Sequence, residues 1–172
     1  MLAVFSAPDA ARADALLAGV VADLRAAHVP VAGCLQDARM NDAERVTRWL
    51  RMLDGSADMA ITQDLGAGAA GCSLDPGALA RASHLIAAQL PRARMLVLNR
   101  FGRSEAEGGG FRPLIAMALE AGTPVLTVVP DRYRAAFADF AGGMECWLDA
   151  DPAALRGWCA AQGIMAAGGI DA

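Results

Sequence analysis

Met95-Leu-Val-Leu98 is an unbroken apolar run that stops abruptly at Asn99-Arg100, then passes into Phe-Gly-Arg, Ser-Glu-Ala-Glu and Gly108-Gly-Gly-Phe-Arg112. A run that is apolar at every position, not at every second one, predicts a strand buried on both faces. Similar runs stand at residues 2–6, 30–35 and 123–129, with shorter ones at 58–62 and 145–148. Helical signals separate most of them. Residues 9–27 carry Leu17, Val20, Val21 and Leu24 at helical spacing. Residues 76–90 follow Asp75 as a cap with Pro in the first turn, and 111–121 end at Gly122. Further helices are predicted over 41–53 with Asn41 as cap, over 132–140, and over 151–162. Strand and helix alternating in this way predict an α/β fold: a parallel sheet flanked by helices in a Rossmann-like three-layer sandwich. No repeat or linker divides the chain, so one domain is expected over residues 1–162. The Gly/Ala-rich residues 163–172 are expected to fray.

In open α/β sheets, ligands bind outside the carboxyl ends of the strands. The polar loop after residue 98 would lie there. Arg100, Arg103 and Arg112 crowd that loop and predict an anion clamp, because guanidinium forks match oxyanions and stay charged at any cellular pH. The competing reading pairs them with Glu105 and Glu107 as an ordered scaffold. Asn99 either donates its amide to the same ligand or caps the next turn. The bare backbone of Gly108, Gly109 and Gly110 could turn amides toward the ligand or form a surface loop. Ser73 offers a hydroxyl in a loop of small residues, and Arg12 a further cation. Gln36 and Asp37 follow the second strand on the same side of the sheet. No nucleophile elbow or Ser-His arrangement is visible, and His28, His84 and the dispersed tryptophans and methionines read as structural.

Charge narrows the classes further. The net charge is −4, which argues against a nucleic-acid binder. All 15 basic residues are arginine. Without lysine there is no Schiff base, lysine general base or P-loop lysine. The four cysteines form no C-x-x-C pair and have only two histidines beside them, so no metal site is predicted. Reduced thiols, the lack of a basic leader and the lack of a bilayer-length apolar stretch predict a cytoplasmic protein without membrane association.

The order of elements resembles the small P-loop NTPases of the thermophile nucleoside-triphosphatase kind. In that family the first strand leads into G-x-x-x-x-G-K-[ST]. Here Ala7 and Arg12 stand at the glycines, Ala13 at the lysine and Asp14 at the magnesium-binding hydroxyl. The acidic pair that closes the later strand in that family is Asn99-Arg100 here. A second resemblance is to a bacterial family, domain of unknown function 2478. It rests on Gly71-Cys-Ser-Leu-Asp-Pro76, aligned when Cys72 is shifted by one, and on Asn99-Arg-Phe-Gly-Arg-Ser-Glu-Ala-Glu-Gly-Gly-Gly-Phe-Arg112. This likeness spans roughly residues 1 to 150. Genes of this family often lie beside molybdate-transport genes, which implies a role with molybdate or tungstate. Together these readings predict a P-loop-like fold with degenerate motifs. The function expected from them is molybdate binding for molybdenum storage, homeostasis or delivery. No organic cofactor, no enzymatic activity and self-association are expected with it. A nucleotide-binding enzyme of NTPase-like descent, or an adaptor with a relict cleft, is the alternative.

Overall fold

Strand β1 (Leu2–Phe5) sends alternate side chains to opposite faces of the sheet: Leu2 and Val4 enter one core, Ala3 and Phe5 the other. The computed structural model describes residues 1–40, 46–62 and 74–165. After β1 come helix α1 (Ala10–Ala26), strands β2 (Val31–Met40), β3 (Val46–Met52) and β4 (Met59–Ala60), and helix α2 (Pro76–Gln89). Strand β5 (Met95–Leu98), helices α3 (Arg103–Ala106) and α4 (Arg112–Glu120), and strand β6 (Val125–Val128) follow. The chain closes with helix α5 (Arg134–Ala141), strand β7 (Glu145–Trp147) and helix α6 (Pro152–Ala161).

The seven strands form one sheet in the order β4-β3-β2-β5-β6-β1-β7. β2, β5, β6, β1 and β7 run parallel, and the β2–β3 and β3–β4 pairs are antiparallel. Helices α1 and α6 cover one face, burying Leu17, Val20, Val21, Leu24 and Leu155 against Phe5, Val97 and Leu126. α2, α4 and α5 cover the other, burying Ile86, Leu114 and Phe137 with Leu96, Leu98 and Phe101. Each large apolar side chain removed from water in this way contributes about 1.5–3 kcal/mol. Asp9, Asp75 and Asp151 cap α1, α2 and α6 by accepting backbone N–H groups, as expected of residues ahead of an apolar-periodic run.

The segment predicted as a helix over 41–53 is not one. Residues 46–52 are strand β3, paired with β2 in a long hairpin, and 41–45 lie outside the described residues. Burial over this stretch alternates through Leu50 and Met52 in, Arg51 out, which is the period of a strand. β2 itself runs on to Met40, past its expected end at Leu35. Gly33 explains how β2 can lie so close to β5: its φ is +126°, and a Cβ there would overlap the Val97 carbonyl. Beyond α6, Ile164 is buried and the Gly163 carbonyl accepts from Arg94 at 2.8 Å. The rest of the expected tail lies outside the described residues. No described helix is long and apolar enough to cross a membrane.

Candidate functional site

The carboxyl ends of β1, β2, β5 and β6 open onto two adjoining hollows that share Arg100 and Arg132. The first, about 210 Å³, lies between the β2–β3 hairpin and the loop after β5. Its floor is apolar, made by Leu50, Ile61, Leu74, Leu79 and Phe111. Among the described residues, its walls carry four arginines, Arg48, Arg100, Arg103 and Arg132, and one carboxylate, Glu105. The second, about 280 Å³, lies over the loop after β1 and is lined by Ala7, Pro8, Asp9, Asp131 and the start of α1.

Glu105 shapes the arginine-walled cleft without pairing with an arginine side chain. Its two carboxylate oxygens accept the N–H groups of Gly102 at 2.8 Å and Phe111 at 2.9 Å, tying both ends of the loop to one buried side chain. Gly110 allows this. Its φ is +59°, and a Cβ would overlap the Glu105 carboxylate. Gly108 N–H donates to the Glu105 carbonyl and Gly109 N–H to the Ser104 carbonyl, so these two amides close the end of α3 and do not point at the cleft.

The three arginines of the predicted clamp take different partners. Arg100 reaches α1 and donates to Asp14 at 2.9 Å, while its Nε is buried without a hydrogen-bond partner. Arg103 lines the cleft and pairs with Glu107 at 2.7 Å on the exposed side of α3. Arg112 stacks on Phe140, 4.5 Å from the ring centre, and donates to the Glu105 carbonyl. Asn99 is buried at the end of β5, with its amide 3.4 Å from Gln36 Oε1 and its own Oδ1 unpaired. Thr127 Oγ1, on the neighbouring strand in register with Leu98, is also buried and unpaired. Buried polar atoms without partners are rare and costly, and three of them gather at the ends of β5 and β6. Arg12 lies apart, lining a small hollow with Asp23 and Arg156 between α1 and α6. Asp37 pairs with Arg39 and Arg51 on the hairpin, and Ser73 lies outside the described residues.

Two cleft arginines escaped the sequence reading. Arg132 follows β6 at its carboxyl end, so the rule that singled out Arg100 applies to it equally. It stacks on Tyr133, 4.9 Å from the ring centre. Arg48 had no such signal, since it enters the cleft only because residues 46–52 form a strand. Among the described residues, no carboxylate lies within ion-pair distance of Arg48 or Arg132. Beneath the cleft, burial pushes the Cys34 thiol up to about 12, against the opposing backbone hydrogen bond of Asn99, so this thiol is no nucleophile at neutral pH.

Magnesium, which P-loop folds hold between a hydroxyl after the loop and an acid on the later strand, does not fit these residues. Asp14 and Asn99 stand at those two places, and Asp14 is already paired with Arg100, the residue after Asn99. Among the described residues, no three His, Cys, Asp or Glu side chains converge as metal ligands.

A family model described as "Protein of unknown function (DUF2478)" matches residues 1–158. A relative is the Molybdenum import ATP-binding protein ModC 2 of Bradyrhizobium diazoefficiens, 33% identical over 148 residues. That match covers 84% of this chain but only 16% of the relative. The solution structure of a human cancer-related nucleoside triphosphatase superposes with a TM-score of 0.65 at 15% identity, covering 86% of this chain and 87% of that one. The chain therefore shares its fold with that nucleoside triphosphatase, in line with the α/β fold and the NTPase-like order of elements predicted from the sequence. The expectation that the chain is not an enzyme is corrected by the same matches. The fold is shared with a nucleoside triphosphatase, and the relative is an ATP-binding protein. The missing lysine and acidic pair removed one way of handling a phosphate chain, while the arginines of the cleft offer another.

Proposed function

Since the chain belongs to the family of the protein of unknown function DUF2478, we propose, on its own geometry, that it is a nucleotide-binding enzyme of NTPase-like descent whose arginine-walled cleft holds the phosphate chain. The observation that carries this is the wall where, among the described residues, four arginines stand with one carboxylate that is already engaged by two backbone N–H groups. Arg48, Arg103 and Arg132 supply the charge that a P-loop lysine supplies elsewhere, and the buried Arg100 Nε is a free donor at the same place. The apolar floor of Leu50, Ile61 and Phe111 suits a planar base, which a bare oxyanion would leave unused. Arginines so placed neutralise the charge that spreads over a phosphoryl group as it is transferred.

A second reading is favoured by the name of the molybdenum-import relative. In it the same arginines, with Asn99, take molybdate or tungstate for storage, homeostasis or delivery. Calorimetric titration with ATP, pyrophosphate, molybdate and sulfate separates the two, with phosphate release followed in parallel. The nucleotide reading expects saturable binding of ATP and pyrophosphate that Arg132→Ala weakens by about tenfold. Molybdate binding with no response to ATP or pyrophosphate would replace it by the second reading, and silence from all four ligands would remove both.

A further inference from the structure

We propose that the Asp14–Arg100 ion pair stands in for a bound magnesium ion, so that the cleft takes its phosphate ligand as the uncomplexed anion and magnesium weakens binding. The inference rests on the nucleotide reading above and specifies the form of ligand that the site selects.

Three observations carry it. The first is position. In the P-loop arrangement, magnesium is held jointly by the hydroxyl after the lysine and by an acid at the end of the later strand. Those places are Asp14 and Asn99 here, and the guanidinium of Arg100, the residue after Asn99, meets the Asp14 carboxylate at 2.9 Å. β6 lies between β1 and β5, so the ends of β1 and β5 are about 10 Å apart at the usual strand spacing. Arg100 bridges this gap and lays its guanidinium across the middle of the sheet edge, where both hollows include it. The second is chemistry. Magnesium requires several oxygen ligands in near-octahedral array. The Asp14 carboxylate already faces a guanidinium, which repels a divalent ion and cannot ligate one. The third is the surplus of cations. Arg48 and Arg132 have no carboxylate partner among the described residues and Arg100 Nε is unpaired, so the cleft has fixed donors for a phosphate chain's full negative charge. Bound magnesium cancels part of that charge and occupies the oxygens that the arginines would take. The cation of this site is therefore covalently tethered, and a chelator cannot remove it.

The test is titration of the full chain with ATP and with pyrophosphate, in EDTA and again with magnesium in excess of the ligand. The proposal expects binding in EDTA and at least a roughly tenfold weaker apparent affinity with magnesium. Equal or tighter binding with magnesium overturns the proposal and leaves the nucleotide reading standing. No binding in either buffer removes that reading and the proposal with it. Two variants probe the pair itself. Arg100→Asp sets a second carboxylate opposite Asp14. It should gain manganese binding, read by water-proton relaxation, that the unmodified chain lacks. Asp14→Asn frees the guanidinium and should tighten ATP binding in EDTA severalfold, which covers the case in which Arg100→Asp fails to fold. Manganese binding by the unmodified chain at the Asp14 site, abolished by Asp14→Asn, would contradict the account.

Discussion

The two hollows at the carboxyl edge of the sheet share a wall but satisfy their charges in opposite ways. Over the loop after β1, the chain answers itself. The Asp9 carboxylate accepts the Arg12 N–H at the start of α1, Ser6 donates to Asp131 at 2.8 Å, and Asp14 holds Arg100. A phosphate arriving there would meet three carboxylates and a helix terminus that already has an anion. Across Arg100 and Arg132, toward the hairpin, no described carboxylate lies within ion-pair distance of Arg48 or Arg132, and Asn99 Oδ1 and Arg100 Nε are unpaired. A helix N-terminus attracts anions only while its amides and its charge are unanswered. Under the proposed function, the anion would therefore sit one strand-width along the edge from the loop after β1.

Removing the cations of the hairpin side should break this contrast most severely. Arg48→Ala with Arg132→Ala deletes two charged donors and should cost about 3 kcal/mol of pyrophosphate binding, roughly a hundredfold. Calorimetry reads it directly, and a loss below threefold would put the ligand elsewhere. Glu105→Ala should come next. It strands the buried N–H groups of Gly102 and Phe111, with an expected cost of about 2–3 kcal/mol in urea denaturation. Glu105→Gln, which keeps one acceptor, should recover part of that.

On the other side, Asp9→Ala removes a helix cap and should cost about 1 kcal/mol of stability, with pyrophosphate affinity within twofold of the unmodified chain. A large fall in affinity would erase the distinction between the hollows. The smallest effect concerns Asp131. The Ser6 hydroxyl, and then Arg134, hold its carboxyl below the usual carboxylate range. A depressed carboxyl stabilises the fold above its unfolded value and loses that contribution as pH falls through the folded one. The Ser6–Asp131 tie should therefore persist below the pH at which an unpaired aspartate takes up its proton, and loosen only as pH falls further. Ser6→Ala should raise the Asp131 titration midpoint in carbon-detected NMR, and an unchanged midpoint would deny the tie.

Much of the fold was legible because its signals are local. Leu2–Phe5, Met95–Leu98 and Val125–Val128 are apolar at every position, and Asp75-Pro76 and Asp151-Pro152 mark helix starts by cap chemistry. The β2–β3 hairpin was not, since Val46–Met52 carries Trp49, Leu50 and Met52 close enough together to pass for a helical stripe, and only pairing with β2 decides the period. That single misreading hid Arg48. For the arginines, sequence proximity stood in for convergence. Arg100, Arg103 and Arg112 are neighbours in the chain, yet Arg112 turns to Phe140, while Arg132, just past the end of β6, lines the cleft. Which cations share a cleft is set by the strand order β2-β5-β6, a property of long-range pairing that no local pattern encodes.

The central claim is that anions bind on the hairpin side of Arg100. Amide ¹H–¹⁵N spectra recorded through a pyrophosphate titration address it most directly. The account predicts shifts at Leu50, from Asn99 to Phe111, and at Arg132 and Tyr133, with Ala7 to Ala13 little changed. Shifts confined to Ala7 through Asp14, with the β5–α4 loop unmoved, would return the ligand to the start of α1 and contradict it.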